Sequence, residues 1–155
     1  MTGLYFEEYT DDWSFRSPER TVTLEMLNTF VDLCGFTSPT FTNPEYAAKQ
    51  YSGRMVPGAF GLALAEGFVI NSGITWRRGI FAMELNTKFL RPLLVGDTVH
   101  LEVKLKSKRI TSKPDRGVVV TTHELINQNG EAVLRYESAK MVRTRAFVEE
   151  TTSAV

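Results

Sequence analysis

From Pro57 to Asn71 the chain carries apolar or small side chains almost all the way round a helix. Ala59, Phe60, Leu62, Ala63, Leu64, Ala65, Phe68, Val69 and Ile70 leave no polar face, so a helix here must be buried on most sides. Gly58, Gly61 and Gly67 each weaken a helix, by roughly 1 kcal/mol in its interior. Small residues at those points imply that something approaches the helix closely. After this segment the period changes. Val99, Leu101, Val103 and Leu105 alternate with His100, Glu102, Lys104 and Lys106, the pattern of a half-buried strand whose second face is solvated. Val118–Ile126 and Ala132–Val142 read as two further strands, with Asn127-Gln128-Asn129-Gly130 as the turn between them. Ile80–Phe89 makes another, ended by Arg91-Pro92, and residues 4 to 9 suggest a short one.

Before the apolar helix the signals are helical. Thr23 opens a pattern in which Leu27, Phe30, Val31 and Cys34 recur at helical spacing, with Gly35 as C-cap. Asn43-Pro44-Glu45 reads as a second start: Asn at N-cap, Pro at N1, an acid in the first turn. One long buried helix followed by antiparallel strands joined by turns predicts an α+β chain, a curved antiparallel sheet wrapped around one apolar helix. That arrangement is the hot-dog fold. A single such sheet leaves an open edge and part of the helix uncovered, so the expected state is a homodimer or a higher even oligomer. One domain over residues 1 to 148 is expected, with residues 149–155 a frayed polar tail.

Composition adds exclusions. The formal net charge is zero, which gives no electrostatic reason to expect nucleic acid or an acidic membrane as partner. The acidic N-terminus is unlike a signal peptide, and the apolar stretch is too short for a bilayer span of roughly 20 residues, so the expected location is cytoplasmic. Cys34 is the lone cysteine, read as a small core residue. Two distant histidines make no metal site; no metal and no cofactor is expected.

Several segments, taken in order, resemble the MaoC-like dehydratases, which include the R-specific enoyl-CoA hydratases. Phe89-Leu90-Arg91-Pro92-Leu93-Leu94-Val95-Gly96-Asp97-Thr98 is similar to that family's F-x-x-P-x-x-x-G-D-T. Arg20-Thr21-Val22-Thr23, Met55-Val56-Pro57-Gly58 and Asn127-Gln128-Asn129-Gly130-Glu131 resemble its first helix entry, central helix start and hairpin. The family's active-site motif reads G-D-x-N-P-x-H-x-D, with Ala four residues on. Here Gly35, Pro39 and Ala47 match without a gap, while the catalytic Asp falls on Phe36 and the catalytic His on Phe41. Ser38 and Asn43 take the places of the motif's Asn and second Asp.

The resemblance implies an acyl-CoA or acyl-carrier thioester as ligand and enoyl hydration or dehydration, a lyase reaction, as chemistry. Phenylalanine can neither accept nor donate a proton, so the standard acid–base pair, typically worth about 10²–10⁴-fold, is missing. The resemblance also implies that the backbone N–H of Gly58, with Ala59 beside it, receives the thioester carbonyl. Phe36, Ser38, Phe41 and Asn43 would border the substrate, and Tyr46 and Tyr51 could line an acyl tunnel. Glu66, the lone carboxylate of the apolar helix, is the candidate acid or base. Three readings stand: a family enzyme with altered chemistry; a non-catalytic thioester binder, or a silent subunit that pairs as a heterodimer with a catalytic homologue; or a thioesterase using Glu66 and water. His123 alternates with Thr121 and Leu125 on an ambiguous face. The pair Arg77-Arg78, and the group Lys106, Lys108, Arg109, Lys113 and Arg116, are candidate contacts for CoA phosphates or an acidic carrier.

Overall fold

The computed structural model describes residues 2–147. Residue 148 and the expected tail, 149–155, lie outside the described residues. In chain order the elements are β1 (Ser14–Arg16), β2 (Arg20–Thr21), α1 (Leu24–Cys34), α2 (Pro39–Thr42), α3 (Pro44–Gln50), α4 (Gly58–Asn71), β3 (Gly79–Phe89), β4 (Thr98–Ile110), β5 (Arg116–Ile126) and β6 (Ala132–Arg143). The sheet runs β1-β4-β5-β6-β3, all antiparallel, with β2 beside the start of β4. This is the hot-dog fold that the period change predicts.

Its core lies between α4 and the sheet. Phe60, Leu64, Ala65 and Val69 of α4 pack with Val99, Leu101, Val103, Leu125, Leu134 and Tyr136. Gly61 is the close approach anticipated above: a Cβ there would stand 3.1 Å from Leu134 Cδ2. Gly67 has open space instead. Thr23 caps α1, its hydroxyl accepting from Met26 N–H, and Gly35 ends it in the left-handed conformation at φ +70°.

Several expectations need correction. Residues 4 to 9 form no strand; Phe6–Glu8 is a 3-10 turn, fixed where the Glu8 carboxylate accepts the Tyr5 N–H at 2.8 Å. The strands that do precede α1 are β1 and β2, too short to show a period. Cys34 is exposed. It shares the phase of Leu27 and Val31, yet it closes the last turn of α1, next to Leu33, which is 82% exposed. His100 is buried at 8% exposure, although its neighbours in the alternation are charged. The chain joining β1 to β2 runs beside it there, with Ser17 exchanging hydrogen bonds with Leu101.

The β3 edge differs from the rest of the sheet. It pairs with β6 on one side only, and Phe81, Met83, Leu85 and Phe89 are 55, 44, 38 and 58% exposed. Ile70 on α4 is 60% exposed. The fold thus leaves an apolar strand edge beside an uncovered helix face, larger than scattered surface hydrophobics make.

Candidate functional site

The segment between α1 and α4 builds one wall. Gly35 turns the chain so that Phe36 N–H reaches back to Val31 O at 3.0 Å. Ser38 and Pro39 open α2, and the Asn43 side chain caps α3 by accepting from Tyr46 N–H at 3.0 Å. Ala47, fully buried, anchors α3. The Arg54 guanidinium donates to Phe41 O at 2.8 Å and ties the end of this excursion to its middle. Met55 then bridges to Leu94, and Val56 N–H bonds Leu93 O.

Phe36 and Phe41 meet. Their rings lie 5.7 Å apart, edge to face at 85°, and Phe36 continues to Phe30 and on to Phe60 of α4. Edge-to-face geometry is the favoured one for such rings. Phe41 faces a cavity of about 660 Å³ lined also by Gly58, Ala59, Leu62, Phe89, Arg91 and Leu134. Phe36 stands behind it.

Gly58 opens α4 with Pro57 as N-cap, and Pro57 has no side-chain acceptor to offer. The first N–H groups of a helix have no intrahelical partner, so those of Gly58 and Ala59 are available to a ligand in this cavity. A Cβ on Gly58 would stand 2.9 Å from the Phe89 ring. Only glycine lets that ring lie against the helix start. At the mouth, Arg91 pairs with Glu131 at 3.2 Å. The Asn127 amide and the Arg91 guanidinium hold the Glu131 carboxyl below its usual range.

The remaining candidates lie elsewhere. Ser38 is exposed, and its carbonyl accepts the Thr42 hydroxyl and the N–H groups of Phe41 and Thr42. Asn43 is spent on its cap. Tyr46 and Tyr51 are exposed and outside the cavity lining. Glu66 sits eight residues beyond Gly58, about 12 Å of helix rise, and lines a separate cavity. Its carboxylate accepts the Tyr136 hydroxyl at 2.7 Å and the Lys140 ammonium at 2.8 Å. Tyr136 stacks on His123 at 4.2 Å, and His123 Nε2 meets the Thr121 hydroxyl at 2.7 Å. Burial, then the positive Lys140, drives the His123 pKa down to about 3. Burial and the Glu66 charge push the Tyr136 phenol up. Tyr136 and Lys140 escaped the sequence reading. Their signal was parity: Leu134, Tyr136, Ser138 and Lys140 share one face of β6, and a lysine on a core-facing parity needs a partner.

Of the basic candidates, Lys106 pairs with Glu137, Lys108 bonds Phe6 O at 3.1 Å, and Arg116 forks onto Asp115 at 2.8 and 2.6 Å. Arg78 lies over the Tyr5 ring at 4.2 Å. Among the described residues no group of acidic, histidine or cysteine side chains could hold a metal ion, and no helix is long and apolar enough to cross a membrane.

The sequence model of the family described as FAS1-like, dehydratase domain region, matches residues 13–136. The chain belongs to that family. No curated protein sequence matches it. Among solved structures, this FAS1-like dehydratase-region chain is similar to a monoamine oxidase regulatory protein from Archaeoglobus fulgidus, at 26% identity and TM-score 0.80, over 93% of this chain and 97% of that one. A MaoC-like dehydratase from Rhodospirillum rubrum follows at 23% and 0.82, covering 94% and 100%. The C-terminally truncated HadBC (3R-hydroxyacyl-ACP dehydratase) complex from Mycobacterium tuberculosis contains a chain at 23% and 0.71, covering 86% and 98%. The last two likenesses are of fold. The matched stretch contains Phe36, Phe41, Gly58 and Glu66 and ends before Lys140.

Proposed function

We propose that this chain is an acyl-thioester-binding subunit of a hot-dog assembly, and that it does not supply the acid–base pair for hydration or dehydration. The observation that carries this reading is the cavity at Gly58. It joins unpartnered helix N–H groups, suited to a thioester carbonyl, to an apolar wall of Phe41 with Phe36 behind it, the two residues on which the sequence resemblance places the His and the Asp. Rings there exclude water and offer no proton.

The β3 edge supports the second half of the reading. A related hot-dog chain that carries the Asp–His pair would cover Met83 and Leu85 by extending the sheet; the HadBC complex from M. tuberculosis, a 3R-hydroxyacyl-ACP dehydratase, supports pairing between different chains. In isolation a second copy of this chain takes that place. A thioesterase reaction at Glu66 is disfavoured by its place about 12 Å along the helix and by its engagement with Lys140 and Tyr136.

The test is hydration of crotonyl-CoA by the purified chain alone and after co-expression with a homologue carrying the intact motif. The chain alone should show negligible hydration while acyl-CoA raises its melting temperature, since a ligand that binds only the folded state stabilises it by mass action. Co-purification with the homologue should accompany activity. Turnover by the chain alone at ordinary enzyme rates, roughly 1–10³ s⁻¹, would overturn the reading.

A further inference from the structure

The Gly58 cavity has a counterpart at the far end of the same helix. It measures about 320 Å³ and is lined by Glu66 and Ile70 of α4, Trp76 and Arg77 of the following loop, Phe81 of β3 and Lys140 of β6. The first cavity is bounded by the other ends of the same elements: Phe89 of β3 and Leu134 of β6, with Ala59 and Leu62 of α4. Ala59, Leu62, Glu66 and Ile70 recur at three- and four-residue spacing, so they form one stripe along α4. The two cavities, separate in this structure, lie along one stripe of α4 that faces the β3–β6 pair, and together they are taken as the two ends of one trough. Its near end offers backbone N–H groups in apolar surroundings. Its far end, about 12 Å along, is charged.

That charge has a sign. Glu66 contributes one negative charge, and Lys140 and Arg77 contribute one positive charge each, so the titratable side chains lining the far end sum to one positive charge. Glu66 is already occupied by Tyr136 and Lys140. Lys140 has three N–H groups and bonds Glu66 Oε2 with one of them. Arg77 stands on the exposed loop at φ +58°, and the indole of Trp76 next to it is 54% exposed. A ligand lying in the trough with its carbonyl at Gly58 brings its other end to this pair of cations.

Resting on the reading of the trough as an acyl-thioester site, we infer that its far end is a subsite for an anionic terminus, so that the preferred acyl group ends in a carboxylate. Charge-assisted hydrogen bonds from Lys140 and Arg77 would hold that carboxylate. A methyl-ended chain of the same length would instead press apolar surface against the Glu66–Lys140 pair and strip water from both ions without replacing it. The trough therefore discriminates twice in the same direction, by attraction to the carboxylate and by the cost of covering the ion pair with a methyl group.

The experiment is calorimetric titration of the full chain with octanoyl-CoA and with suberyl-CoA, which differ only at the far end of the acyl group. Suberyl-CoA should bind about tenfold more tightly or better, the size expected of hydrogen bonds to a charged group. Lys140→Met should bring the ratio close to one. Because Lys140 is packed against Glu66, Arg77→Asn is the second variant: it lies on an exposed loop, asparagine tolerates a positive φ, and it too should lower the ratio. If octanoyl-CoA binds and suberyl-CoA binds no better, the anionic subsite is wrong while the thioester reading stands. A preference that survives both substitutions also overturns it, since the carboxylate is then read elsewhere. If neither thioester binds, the thioester reading falls and the subsite with it.

Discussion

Acid should destabilise this protein through His123 more than through an ordinary histidine. His123 is 1% exposed, stacked on Tyr136, and held down to a pKa of about 3 from the usual 6.5, first by burial and then by Lys140. The folded-state value is the depressed one. Between pH 6.5 and 3 the unfolded chain therefore takes up a proton that the folded chain refuses, and stability is lost as pH falls through that window. Each pH unit within it is worth about 1.4 kcal/mol, so lowering pH from 7 to 5 should remove roughly 2 kcal/mol through this one group. The assay is urea unfolding at pH 7, 6 and 5, at fixed protein concentration because assembly also shifts the midpoint. His123→Gln serves as the reference. The variant loses the ring stack and starts less stable, so the comparison is between slopes: the native protein should lose about 2 kcal/mol more than His123→Gln over this interval. Parallel pH dependences would refute the reasoning, as would a His123 ring that titrates near 6.5 by NMR in the folded protein.

Two further outcomes are expected. The double substitution Phe36→Asp and Phe41→His should introduce measurable crotonyl-CoA hydration if the backbone frame is intact, and each single change much less, because such groups act as a unit; a folded double variant that binds acyl-CoA yet stays inert would refute the alignment of these positions. Met83→Glu with Leu85→Lys on the β3 edge should convert a sedimenting dimer to monomer and lower its melting temperature; a native protein already monomeric at micromolar concentration would refute the pairing surface.

The sequence exposed the scaffold because burial there repeats. α4 has no polar face, β4 and β6 alternate, and Thr23, Gly35 and Asn43 are punctuated by chemistry that caps require, so these elements fall where expected. What escaped was set by contacts distant in sequence. β1 is three residues long and exists because β4 lies beside it. His100 and Cys34 each obey their local period and yet end on the other side of the surface: the β1–β2 chain runs beside the first, and the second is exposed where α1 ends. Glu66 stood out as a lone carboxylate, but its meaning depends on Lys140 and Tyr136, seventy and more residues away. No period within α4 indicates that those two side chains arrive there.

The excursion between α1 and α4 faces a physical choice at two positions. An Asp and a His there need hydrogen-bond partners and water, and burying them without partners is costly. Two phenylalanines in edge-to-face contact instead contribute about 0.5–1.5 kcal/mol beyond the area they bury, and they join Phe30 and Phe60 so that the excursion packs onto α1 and α4. The same two positions cannot do both. Under the proposed function, a chain that fills them with rings gains a stiffer wall beside Gly58 and gives up proton transfer. It remains useful where another subunit supplies the acid and base, or where recognition of the acyl group is itself the task. Under the reading proposed above, the retained Gly35, Pro39 and Ala47 then have a single explanation: they hold the wall in place, and the wall, not the dyad, is what this chain keeps.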